Sequence, residues 1–195
     1  MKNPFDRLFV RECHVCPWWL CFTFDNLIRK LFHDPENILA PYVHEGDTVL
    51  DVGPGMGFFS IPLARMVGDK GKVIAADVQA PMLAVLRKRV KKQGLEGRIV
   101  PHLCKSNSID IREPIDFALA FWMVHEVPDQ NKFFLEMKSL LKPEGNLLLA
   151  EPTIHVTRPM FEETIKRAGE AGFAVRETPK IFMSRTAVLS LHKEP

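Results

Sequence analysis

The chain has 195 residues, 46% of them hydrophobic and 26% charged, with a formal net charge of +2; this allows one domain with a substantial core and excludes the basic excess of most nucleic-acid binders. No apolar run approaches the roughly 20 residues that span a bilayer, and no signal peptide is expected from Met1-Lys2-Asn3-Pro4-Phe5-Asp6-Arg7, which has no apolar core behind it. Four cysteines do not make a disulfide framework, so the sequence predicts a cytoplasmic protein that binds neither nucleic acid nor membrane.

Residues 1–45 read as an N-terminal extension and 46–195 as the main domain. The extension holds Cys13, Cys16, Cys21, Trp18 and Trp19. One short helix is expected over 26–32. A second has Asp34 as N-cap and Pro35 at its first position. From Gly46 onward strands and helices alternate. Residues 48–52 form a short apolar strand, 58–67 a helix stopped by Gly68, and 72–77 a second strand. Pro62 conflicts with a helix starting at Phe58, because proline fits only the first turn; a start nearer Ser60 removes the conflict. An amphipathic helix over 81–93 puts Met82, Leu83, Leu86 and Val90 on one face, with Gly94 past its end. Strands follow over 98–103 and 116–121. Asp129 caps a helix carrying the stripe Phe133, Phe134, Met137, Leu140 and Leu141. Lys142-Pro143-Glu144-Gly145 turns into a strand over 146–150, a helix covers 159–171, and extended runs cover 173–177 and 186–191. This alternation predicts an α/β fold, a mostly parallel sheet with helices on both faces.

Gly53, Gly55 and Gly57 alternate directly after the first strand and before a helix. Glycine lets another group approach the backbone closely, and the free amides of a helix start can face a ligand. Asp77 ends the next strand, where a carboxylate can accept both hydroxyl hydrogens of a ribose. Turn and acid together point to a nucleoside ligand. The dinucleotide fingerprint is G-x-G-x-x-G, whereas here the spacing is G-x-G-x-G and Phe58 takes the place of the third glycine. Asp51, two residues before Gly53, would repel a pyrophosphate but suits a ligand with an ammonium and a sulfonium. Electrostatics therefore favour S-adenosylmethionine.

At these residues the sequence resembles the class I S-adenosylmethionine-dependent methyltransferases, in particular the methyltransferase-domain group near the ubiquinone and menaquinone methylases. The resemblance covers about 48–151. Val49-Leu50-Asp51-Val52-Gly53-Pro54-Gly55-Met56-Gly57 is similar to the family's first motif, and Ala76-Asp77 to its ribose-binding strand end. Phe121-Trp122-Met123-Val124-His125-Glu126-Val127 and Leu140-Leu141-Lys142-Pro143-Glu144-Gly145-Asn146-Leu147 resemble two later segments, the second with Glu144 for the family's first glycine. The resemblance implies a Rossmann-like, doubly wound sheet of seven strands, the last antiparallel. It implies that Asp51, with the amides of the turn through Gly53, Pro54, Gly55 and Gly57, holds the methionine part. Asp77 would bind the ribose, Val78 and Met82 would lie beside the adenine, and the Phe121 backbone would sit near the methionine end. The family often has an acid after the third strand for the adenine amino group. Here the segment reads Cys104-Lys105-Ser106-Asn107-Ser108, and Asn107 is the placement whose amide oxygen can accept that hydrogen bond.

A sulfonium methyl is already electrophilic, so orientation can supply most of the catalysis and no metal is required. His125, paired with its neighbour Glu126, is the candidate acid-base residue, since histidine titrates near neutrality; its competing role is packing below the cofactor. The segment Cys13-His14-Val15-Cys16-Pro17-Trp18-Trp19-Leu20-Cys21 has three readings: a lid with Trp18 and Trp19 walling the substrate pocket, a soft-metal site, or buried core. The lid is favoured. The acceptor is expected to be a small molecule. Two other readings stay open, a non-catalytic S-adenosylmethionine-binding protein and an NAD-linked oxidoreductase.

Overall fold

The computed structural model describes residues 32–192. Cys13, Cys16, Trp18, Trp19 and Cys21 lie outside them, as does the helix expected over 26–32 except for its last position. Among the described residues no helix is long and apolar enough to cross a membrane.

Helix α1 (Pro35–Leu39) starts where proline and its cap place it, with Asp34 Oδ1 accepting from the Glu36 and Asn37 amides. Then come β1 (Thr48–Val52), α2 (Ser60–Met66), β2 (Lys72–Asp77), α3 (Ala80–Lys92), β3 (Ile99–Leu103) and β4 (Ile115–Phe121). A single 3-10 turn, Val124–Glu126, leads to α4 (Gln130–Leu140), β5 (Leu141–Pro152), α5 (Arg158–Glu170), β6 (Phe173–Glu177) and β7 (Ser184–Leu191). The late start of α2 puts Pro62 in its first turn, where a missing amide hydrogen costs nothing.

The seven strands form one sheet in the order β3-β2-β1-β4-β5-β7-β6. The pairs β1–β2, β2–β3, β1–β4 and β4–β5 are parallel, and β7 runs antiparallel to both β5 and β6. This is the doubly wound, Rossmann-like sheet with an antiparallel last strand. Strand β5 is longer than expected. It pairs at Leu141 with Ile115, skips, and resumes at Asn146 with Phe117. The skipped residues form the turn, closed over Asp116 by Lys142, whose Nζ lies 2.7 Å from its carboxylate.

Alternate strand residues face opposite sides, so the sheet has two cores. Val49, Val73, Phe117, Leu119 and Leu148 pack with Leu63, Leu83, Leu86 and Val90. Leu50, Ile74, Ala118, Leu147 and Leu149 pack with Phe133, Phe134, Met137 and Leu140 on the other face. Leu39 and Val43, from the segment read as extension, are buried in the first core. Strands β1 and β4 are neighbours whose connections leave in opposite directions. That makes the gap at their carboxyl ends the switch point of the sheet, where such folds take ligands.

Candidate active site

A cavity of about 250 Å³ opens at that switch point. Its near wall comes from the ends of β1, β2 and β3: Gly53, Gly55, Asp77, Val78, Gln79, Met82 and Cys104 to Ile109. Its far wall is Trp122, Met123, Glu126 to Asp129, Phe133 and Glu136. Six residues singled out in the sequence are thus brought together: Gly53, Gly55, Asp77, Val78, Met82 and Asn107. Asp51, Pro54, Gly57, Phe121 and His125 stand outside the wall.

The turn explains part of this division. Gly55 has φ 55°, and a Cβ there would meet nothing within 4 Å, so the backbone presents an open face to the cleft. At Gly57 (φ 91°) a Cβ would collide with Leu86 Cδ1. Gly57 thus allows the close packing of Leu86, on α3, against the turn. Asp51 is buried beneath the turn and accepts a 2.6 Å bond from Ser60 Oγ at the start of α2. The Phe121 ring lies in the core, 4.5 Å from the Phe59 ring between centroids.

Asp77 is 7% exposed. Its Oδ1 accepts from the Gln79 amide at 2.8 Å and its Oδ2 from the Gly55 amide at 3.3 Å. Burial raises its pKa to about 6, although the amides of Gln79, Gly55 and Val78 pull the other way. A carboxylate that desolvation has destabilised is suited to paired hydroxyl donors. It also occupies the amide that a phosphate would need, which disfavours a pyrophosphate. The cleft thus offers groups that suit an adenosyl ligand: apolar Val78 and Met82, the Asp77 carboxylate and the amide side chain of Asn107.

The far wall escaped the sequence reading apart from its motif. Trp122 has φ 61°, unusual for a bulky residue and typical of functional segments. It is held by Trp122 N–H donating to the Ala150 carbonyl at 2.7 Å and Nε1 donating to Ser184 Oγ at 2.9 Å. Behind it, buried Glu151 grips His125 twice, accepting from its backbone N–H at 3.0 Å and contacting ring Nδ1 at 2.5 Å. The neighbour expected to pair with His125, Glu126, stands 3.9 Å from Nε2. Burial opposes a charge on His125, but the hydrogen bond and charge of Glu151, helped by Glu126, outweigh it and hold its pKa above the usual histidine value. Burial raises the Cys104 thiol to about 12, so it is an unreactive thiol on the cleft wall. Among the described residues no cluster of three or more His, Cys, Asp or Glu could hold a metal ion.

Residues 43–183 match the family described as "Methyltransferase domain". The ubiquinone/menaquinone biosynthesis C-methyltransferase UbiE of Vibrio vulnificus is 33% identical over 125 residues, 62% of this chain and 45% of that protein. The UbiE of Francisella tularensis is 32% identical over 134 residues, covering 66% and 53%. The chain thus spans about half the length of these curated relatives. A SAM-dependent methyltransferase from Aquifex aeolicus superposes with TM-score 0.79 at 29% identity, covering 91% of this chain and 99% of that one. A putative S-adenosyl-L-methionine-dependent methyltransferase from Methanococcus maripaludis gives 0.76 at 18% identity, over 95% and 97%, a likeness of fold alone. With the switch-point cleft and a family match over most of its length, the chain belongs to the methyltransferase-domain family of class I S-adenosylmethionine-dependent enzymes.

Proposed function

We propose that this chain binds S-adenosylmethionine in the cleft and transfers its methyl group to a small-molecule acceptor. The observation that carries the reading is Asp77, a buried carboxylate beside the open Gly55 backbone. The cofactor supplies an electrophilic sulfonium methyl. Asp77 accepts from the ribose hydroxyls. Val78 and Met82 cover the adenine, and Asn107 accepts from its amino group. The backbone of Gly53, Pro54 and Gly55 allows close approach of the methionine part, with the buried charge of Asp51 beneath and the Phe121 backbone beside it.

His125 acts through position in this reading. Its ring and amide are both taken by Glu151, and it stands outside the cleft wall, so the pair braces the segment 122–127 that carries Trp122 and Met123. Trp18 and Trp19, read in the sequence as walls of the acceptor pocket, lie outside the described residues. The curated relatives are C-methyltransferases of ubiquinone and menaquinone biosynthesis, so intermediates of quinone biosynthesis are the first acceptors to assay. A cytoplasmic location accords with the cysteine usage.

Titration calorimetry with S-adenosylhomocysteine tests the cofactor. Asp77→Ala is expected to weaken binding by about 1.5–3 kcal/mol, the worth of hydrogen bonds to a charged group. Absence of heat with the wild type, or equal affinity in the variant, overturns the assignment; a nicotinamide fluorescence change on titration would revive an oxidoreductase.

A further inference from the structure

The loop after β3 carries the proposed adenine contact, and beside it the His102 ring contacts the Ile109 carbonyl at 2.7 Å while Lys105 Nζ lies 3.4 Å from Asp110 Oδ2. Cys104 N–H donates to the Asp77 carbonyl at 2.9 Å, tying the loop's start to the ribose-binding acid. Lys105 and Ser108 then close a tight turn by mutual backbone bonds of 3.1 and 3.3 Å, with Ser106 and Asn107 at its tip. Asn107 is exposed and lines the cleft, so its direction follows from how the turn is held.

A further hold comes from the opposite wall. Glu136, on α4, accepts from Ser108 Oγ at 2.6 Å through Oε1 and from the Ile109 amide at 3.1 Å through Oε2. Ser108 Oγ in turn accepts from the Asp110 amide at 3.2 Å, and Asp110 stands at φ 57°. One carboxylate thereby fixes two consecutive residues just after Asn107 and joins the two walls across 28 positions of sequence. A carboxylate accepting from a hydroxyl and an amide makes charge-assisted bonds, the stronger kind.

We infer that Glu136 is a positioning residue for base selection: by clamping Ser108 and Ile109 it aims Asn107 into the cleft and so sets the preference for a 6-aminopurine. The inference rests on the proposed role of Asn107.

The test is calorimetric titration with two probes, S-adenosylhomocysteine and its analogue with the 6-amino group replaced by hydrogen. Wild type should prefer the amino form about five-fold, the worth of one neutral hydrogen bond. Asn107→Ala should abolish that preference. Glu136→Ala should reduce it to below two-fold although the contacting amide side chain is intact, and Glu136→Gln, which keeps one acceptor oxygen, should restore part of it. Adding Glu136→Ala to Asn107→Ala should change the preference no further. Ser108→Ala, which removes one of the two bonds, gives an intermediate preference and serves if Glu136→Ala does not fold. An undiminished preference in Glu136→Ala or Ser108→Ala overturns the inference, as does an equal loss of affinity for both probes, the mark of a merely structural carboxylate. Equal binding of both probes by wild type removes the Asn107 reading and this one with it. A wild type that binds neither probe removes the cofactor assignment itself.

Discussion

Asp77, the proposed ribose acid, is maintained at a cost to the fold. Its folded pKa, about 6, lies above the ordinary 3.8. Between those values the folded chain keeps a proton that the unfolded chain releases. Ionising Asp77 therefore destabilises the protein: the penalty is absent below the ordinary value, grows through the window, and is complete above the folded pKa. A shift of this size corresponds to about 1–3 kcal/mol. Asp77→Asn should thus unfold at a higher temperature than wild type at pH 7.5, by about 1 kcal/mol after the loss of one amide contact. The advantage should vanish by pH 4, where both side chains are neutral, while cofactor affinity falls at pH 7.5. Thermal unfolding followed from pH 4 to 8 measures it; a pH-independent difference would contradict the burial argument. Much of this site could be read from residues alone, because Gly55 and Asp77 flank strands whose ends must meet. Glu136 could not, since its partners lie 28 and 27 positions away and a glutamate on an amphipathic helix looks like any solvated one.

At the scale of elements, strands β1, β2 and β6 fall where the sequence places them, since buried strands are apolar runs bounded by turns. The 3-10 turn Val124–Glu126 was legible only as a motif, and its anchor was not. The bond from His125 to Glu151 joins the segment after β4 to the end of β5, and only the parallel pairing of those strands brings the two together. Sequence adjacency pointed to Glu126 instead. Because the His125 pKa is raised in the fold, the pair contributes stability that is complete below the ordinary value of 6.5 and is lost as pH rises through the folded pKa. Glu151→Gln keeps an acceptor for the backbone amide and removes the charge. It should lower the His125 pKa, read from its ring proton shifts by NMR, and destabilise the protein by about 1–3 kcal/mol at pH 6 with a smaller loss at pH 9. An unchanged histidine titration would show that Glu151 does not govern the ring.

The whole molecule places its cleft between two half-sheets that meet at β1 and β4. The near wall belongs to the β1–β3 half and the far wall to the segment and helix after β4. The mostly parallel sheet was legible from the alternation of strands and helices, whereas the seven strands with the last antiparallel came only from the family resemblance. The cleft's far wall was not legible, because its side chains converge only after the second half packs. A ligand that touches both walls binds the folded protein alone and stabilises it by mass action, by about 2.7 kcal/mol at a concentration 100 times its dissociation constant. For a chain of this size that is a rise in melting temperature of roughly 5–10 °C. S-adenosylhomocysteine should produce that rise in wild type, and the rise should shrink to about 1–5 °C in Asp77→Ala at the same ligand concentration. NAD should produce none, because the amide a phosphate needs at Gly55 is held by the Asp77 carboxylate. A shift with NAD equal to that with S-adenosylhomocysteine would mean that the cleft selects adenosine alone, and that the carboxylates around the turn do not select the cationic tail.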